Sequence, residues 1–123
     1  MRALELGTPG EMRMRLNDLV LAGLKTATAG TLADYEREGE AFEHVGEHLA
    51  LLDERGSSVA TVEVTAVAVL RFADVDWAFA QAEGEGFTSL EHWRQAHADF
   101  FSATGVPVDD DSSIVCLSFR LVR

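Results

Sequence analysis

The chain has 123 residues, a formal net charge of −11, and 47% apolar residues. That length suits one domain built around one core, so residues 1–123 are read as a single domain. The charge argues against coating extended duplex nucleic acid, because such binding draws on many phosphate contacts and the counterions they release. The first residues are mixed and charged, without the apolar stretch of a signal peptide. No apolar run approaches the roughly 20 residues of a membrane span. A lone cysteine, Cys116, excludes an internal disulfide. The expected location is the cytoplasm, and no membrane partner is expected. Nine of the ten basic residues are arginine, so Lys25 is the only lysine. Lysine loses its proton on burial far more readily than arginine, which makes Lys25 the first candidate for chemistry.

Taken in chain order, Thr8-Pro9-Gly10-Glu11 reads as a capping box with proline at the first helical position. Met12, Leu16, Leu19 and Val20 then recur at helical spacing, and Gly23 marks a stop. A shorter helix is predicted from Thr31 to Glu38, with Thr31 and Asp34 as its cap and Gly39 at its end. His48 to Asp53 reads as a strand, and Asp53-Glu54-Arg55-Gly56 as a hairpin turn. Ser58 to Phe72 is the clearest strand. Ala60, Val62, Val64, Ala66, Ala68 and Leu70 fall on one face at a period of two. The opposite face turns from polar (Thr61, Glu63, Thr65) to apolar (Val67, Val69), which predicts a strand running into a fully covered part of a bent or closed sheet. A helix is predicted over Asp74 to Ala82, ending at Glu83-Gly84-Glu85-Gly86. Thr88-Ser89-Leu90-Glu91 reads as another capping box. The helix behind it carries Leu90, Trp93, His97, Phe100 and Phe101 at spacings of three and four. Pro107 and Asp109-Asp110-Asp111 form a solvated loop, and Ile114 to Val122 is the last strand. Strands and helices do not alternate strictly, so the pattern favours an α+β domain over a doubly wound parallel sheet.

Three places carry chemistry-bearing residues. In Gly23-Leu24-Lys25-Thr26-Ala27-Thr28, an extended backbone would point Lys25 and Thr28 to opposite faces, whereas a tight turn would let them converge. A deprotonated lysine can take the proton of a threonine hydroxyl, which then attacks a carbonyl. The plainer alternative is a helix end followed by the next helix cap, with lysine favourable at the dipole. Glu83 and Glu85 alternate with glycines, and they become acid–base candidates only if they lie near Lys25. His97 shares the inner stripe of its helix with Trp93; the pair is either core packing or a flat surface for a base to stack on. His44, His48 and His92 show no metal-ligand spacing, and no phosphate-binding glycine loop or serine elbow is present.

Leu19-Val20-Leu21-Ala22-Gly23-Leu24-Lys25-Thr26-Ala27-Thr28 resembles the opening motif of ASCH domains. Tyr35, Gly46, Asp53, the stretch Ala82-Glu83-Gly84-Glu85-Gly86 and the run from Ser89 to His97 look like the longer bacterial members. Cys116 and Phe119 fall in the expected last strand. The resemblance runs from about Leu16 to the C-terminus. It implies a PUA-like mixed β-barrel, a strongly curved sheet flanked by helices, and a partner that is a nucleoside or a short single-stranded RNA. One small ASCH branch hydrolyses the amide of N4-acetylcytidine with a lysine, a threonine and a glutamate, which by motif position correspond to Lys25, Thr28 and Glu85. Thr26, Tyr35, Glu83, Trp93 and His97 would then line the substrate site, with no cofactor. Another relative is described as a metal-dependent single-strand ribonuclease, and its lysine matches Lys25; that reading implies a divalent metal. A binding module without chemistry is the third reading. This chain departs from the small amidohydrolases in its length, in the extra helix carrying Trp93, and in the glycines on both sides of Glu85.

Overall fold

A computed structural model describes residues 1–123. The elements are β1 (Arg2–Leu4), α1 (Glu11–Leu21), β2 (Ala27–Thr31), α2 (Leu32–Glu38), β3 (His48–Leu52), β4 (Ser58–Arg71), a 3-10 turn (Phe72–Asp74), α3 (Trp77–Ala82), α4 (Leu90–Ala103) and β5 (Ser113–Leu121). The strands make one five-stranded sheet in the order β1-β3-β4-β5-β2. β1 runs parallel to β3 and the other neighbours are antiparallel. The sheet curls into a half-barrel, giving the α+β, PUA-like architecture. No helix is long and apolar enough to cross a membrane.

Two apolar clusters pack on the sheet. One joins Leu16 and Val20 of α1 to Leu49, Leu51, Val62, Val64, Leu117 and Phe119. The other joins Phe72, Val75, Ala80, Trp93 and Phe101 to Ile114 and Cys116. Alternate residues of β5 thus enter different clusters, as period-two geometry requires of a strand covered on both faces. This explains why Ile114 to Leu117 form an unbroken apolar run.

Several predicted features hold. Thr31 caps α2, its hydroxyl accepting the Asp34 N–H at 3.1 Å, and Gly39 closes that helix in a left-handed conformation. Asp53 organises the β3–β4 turn by accepting the N–H groups of Arg55 and Ser57, both at 2.9 Å. These bonds hold its carboxyl below the usual aspartate range, Ser57 contributing most.

Other features differ, each for a local reason. α1 starts after Gly10, not at a Thr8 cap, and no side chain caps it. The buried Arg13 guanidinium binds the carbonyls of Leu6 (3.0 Å) and Gly7 (3.1 Å), which pins the incoming chain and leaves Thr8 and Pro9 outside the helix. The regular alternation of β4 ends at Val64. Thr65 is inserted as a bulge between Val64 and Ala66, and one extra residue reverses the side-chain phase. Val67 therefore packs on the first cluster, Ala66 and Ala68 are exposed, and Val69 is 42% exposed, so this end of the strand is not fully covered. The helix predicted from Asp74 divides because Asp76 serves as a cap, accepting the Phe79 N–H at 2.9 Å; aspartate favours that position over a helix interior. Ser89, rather than Thr88, caps α4 by accepting the His92 N–H at 3.0 Å. β1 and β2 were not predicted as strands: three residues in one case and Ala-Thr-Ala-Gly-Thr in the other carry little strand preference. Pairing with β3 and β5 makes them extended.

Candidate active site

Two loops cross at backbone contact and build the site. After α1, Gly23 turns the chain, and the N–H groups of Leu24 and Lys25 return to the Leu19 carbonyl at 2.9 and 3.1 Å. Thr26 then fastens this segment to the end of α3. Its N–H (2.8 Å) and its hydroxyl (3.3 Å) both donate to the Ala82 carbonyl. Gly84, at φ +67°, lies so close that a Cβ there would stand 2.0 Å from the Leu24 carbonyl oxygen. Only a residue without a side chain permits this crossing.

The crossing delivers Lys25 to Glu85. The lysine side chain is 1% exposed, and its Nζ donates to Glu85 Oε2 at 2.8 Å and to the Glu83 carbonyl at 3.4 Å. A buried ammonium demands such a partner, because an unpaired charge off solvent is strongly unfavourable. Glu83, itself buried, turns its carboxylate the other way. Its Oε2 accepts the Trp93 indole N–H at 2.7 Å and stands 3.0 Å from His97 Nε2. His97 stacks on Trp93 with ring centroids 4.1 Å apart and planes inclined by 21°.

Lys25, Thr28, Glu83, Glu85 and His97 border one cavity of about 210 Å³, joined by Arg15, Phe87 and Phe100. β2 begins only at Ala27, so Lys25 lies before the extended strand, and both it and Thr28 border this cavity. Three expected pocket residues lie elsewhere. Trp93 is fully buried and offers no face to a ligand; the His97 ring covers it, so the stacking surface reduces to His97. Thr26 borders neither this cavity nor the next, and its hydroxyl is committed to Ala82. Tyr35 faces a second cavity of about 370 Å³, where its hydroxyl donates to Glu43 Oε1 at 2.8 Å. Burial, reinforced by Glu43, raises the Tyr35 pKa well above the ordinary tyrosine value. The two cavities adjoin at Thr28 and Ala29. Arg15 carried no sequence signal: on a helix with mixed polar faces, an exposed arginine is indistinguishable from a solvated one. No group of three His, Cys, Asp or Glu side chains converges closely enough to hold a metal ion, so the residues do not fit a resident divalent cation.

The sequence and the fold match known proteins. The sequence profile described as the ASCH domain matches residues 3–123. The chain belongs to the ASCH domain family. A solved protein from Enterococcus faecalis superposes on this ASCH chain with a TM-score of 0.87 at 31% identity, covering 99% of this chain and 76% of that one. An ASCH domain from Lactobacillus crispatus gives a TM-score of 0.84 at 27% identity, covering 98% and 78%. A variant ASCH protein from Zymomonas mobilis, at 12% identity and a TM-score of 0.59 over 89% of this chain and 68% of that one, shares the fold. No curated protein sequence matches the chain.

Cys116, on β5, is 5% exposed, and its thiol is pushed up to about 12, by burial first and then by Glu83 and Asp76. A protonated, inaccessible thiol is inert. Iodoacetamide at pH 8 is expected to leave the native protein unlabelled and to label it fully in guanidinium. Mass spectrometry reads both states, and rapid native labelling would contradict this burial.

Proposed function

We propose that this ASCH protein hydrolyses the amide of an acylated nucleoside such as N4-acetylcytidine. The observation that carries the reading is the 2.8 Å contact between Lys25 Nζ and Glu85, on the wall of a cavity that Thr28 also borders. These are the three side-chain types, at the three motif positions, of the amidohydrolase branch of the family. At about 210 Å³ the cavity is smaller than the roughly 300–1,000 Å³ common for drug-sized ligands. It suits one base with a short acyl group better than a length of strand.

In the proposed reaction, proton transfer from Lys25 to Glu85 within their hydrogen bond frees the lysine nitrogen. Lys25 then takes the hydroxyl proton of Thr28 as Oγ1 attacks the amide carbonyl. Collapse of the tetrahedral intermediate breaks the C–N bond, and protonated Glu85 gives its proton to the departing cytosine amine. The acyl group stays on Thr28 as an ester. Water attacks that ester, releasing the carboxylic acid and restoring the hydroxyl, so one water is consumed per amide. Glu83 and His97 hold the loop and the wall in place. Trp93 supports both from beneath, Thr26 fixes the backbone on which Lys25 stands, and Tyr35 faces the adjoining space. No step is routed through a metal.

Purified protein incubated with N4-acetylcytidine in the presence of EDTA is expected to release cytidine and acetate in equal amounts, read by chromatography. Stoppage by EDTA, or no release above the buffer rate, would remove the reading.

A further inference from the structure

We infer that the substrate of this site carries a phosphate, a nucleoside monophosphate rather than a free nucleoside, and that Arg15 receives it. The inference rests on the amide-hydrolase reading for the base and extends it to the rest of the ligand. Two cations at the cavity, Lys25 and Arg15, face one carboxylate, Glu85. Lys25 is matched by Glu85 at 2.8 Å. Glu83 is engaged on the other side, accepting the Trp93 indole N–H at 2.7 Å and standing 3.0 Å from His97 Nε2.

Arg15 is left over. Its guanidinium is 3.9 Å from Glu85 Oε1, beyond hydrogen-bond reach, and that oxygen belongs to a carboxylate already engaged by Lys25. The Arg15 side chain is 56% exposed and borders the cavity that Lys25 closes from within. A guanidinium with all five donors free is a receptor for the planar or tetrahedral oxygens of a carboxylate or phosphate. For a substrate whose acylated base sits by Lys25, the anionic group within the same molecule is the sugar phosphate. A strand of RNA is disfavoured by the chain charge of −11, since each added phosphate needs its own cation. One exposed guanidinium suits one phosphate.

The test is calorimetric titration at low ionic strength of cytidine 5′-monophosphate, cytidine and a cytidine tetranucleotide, into the wild-type protein, Arg15→Gln and Arg55→Gln. The monophosphate is expected to bind about tenfold tighter than cytidine, a preference that one charge-assisted contact supplies. Arg15→Gln is expected to bring it down to the level of cytidine. Arg55→Gln, which alters an exposed arginine of the β3–β4 turn, is expected to leave the preference intact. Equal affinities in the wild-type protein, no detectable monophosphate binding, or a preference that survives Arg15→Gln would overturn the inference. Tighter binding of the tetranucleotide would overturn the single-phosphate assignment. The hydrolysis assay separates the two ideas. A phosphate preference without amide cleavage keeps Arg15 as the receptor and removes the enzyme, and cleavage without the preference does the reverse.

Discussion

Thr28→Ala is expected to lower kcat for N4-acetylcytidine by at least about 10³-fold, the scale on which loss of an attacking nucleophile is felt. Thr28 is half-buried in β2, opposite Leu117 of β5. Its replacement removes a hydroxyl and a methyl and forfeits at most about 1 kcal/mol of strand preference. A thermal melt shifted by only a few degrees is therefore expected alongside the loss of activity. Thr28→Ser keeps the hydroxyl and is expected to recover activity to within about tenfold of wild type, since it retains the nucleophile. Packing alone does not produce that order, because serine and alanine both lack the methyl. Equal activity of the alanine and threonine proteins in a stopped assay would end the nucleophile assignment.

Gly84→Ala is expected to be the most disruptive single methyl in the chain. Its Cβ would lie 2.0 Å from the Leu24 carbonyl oxygen, 2.6 Å from the Leu24 carbonyl carbon and 3.0 Å from Lys25 Cα. All three are backbone atoms, so no side-chain rotation relieves the clash. The left-handed backbone at φ +67° adds about 1–2 kcal/mol for a residue with a Cβ. The two loops must part, and Glu85 moves from Lys25 as they do. Displacing a reacting group by about 1 Å is worth about 10²-fold in rate. The melting temperature is expected to fall by about 10 °C or more, which corresponds to a loss of about 2–3 kcal/mol in a domain of this size. Gly86→Ala is the comparison: at φ +87° it bears the same conformational penalty, but nothing lies within 4 Å of its Cβ. A Gly84→Ala protein no less stable and no less active than Gly86→Ala would show that the crossing is not held by steric fit.

What was legible in the sequence is what neighbouring residues decide among themselves. Thr31 with Asp34, the Asp53 turn and the amphipathic run from Leu90 to Phe101 follow from hydrogen bonds and periodicity within a few positions. The motif around Lys25 and the glutamate–glycine stretch also stood out, and the resemblance to ASCH domains rests on them. The misread starts of α1, α3 and α4 are competitions between adjacent cap residues, which small tertiary contacts such as Arg13 on Leu6 settle.

The tertiary structure decided what depends on partners distant in the chain. β1 and β2 extend because β3 and β5 offer unpaired backbone beside them, and the Thr65 bulge appears just past Glu63, where β4 leaves β3 and continues along β5 alone. At the site, the sequence by itself marked Lys25 as the lone lysine and Glu85 as a candidate carboxylate, but their meeting across 60 positions is a property of the folded chain. So is the sharing of Glu85 between Lys25 and Arg15, since how fully a cation is compensated depends on which carboxylates the fold has already assigned to others. Local pattern records each residue's preferences; only closure of the sheet and the crossing of two loops determines which of those preferences are met by a neighbour and which remain open to a ligand.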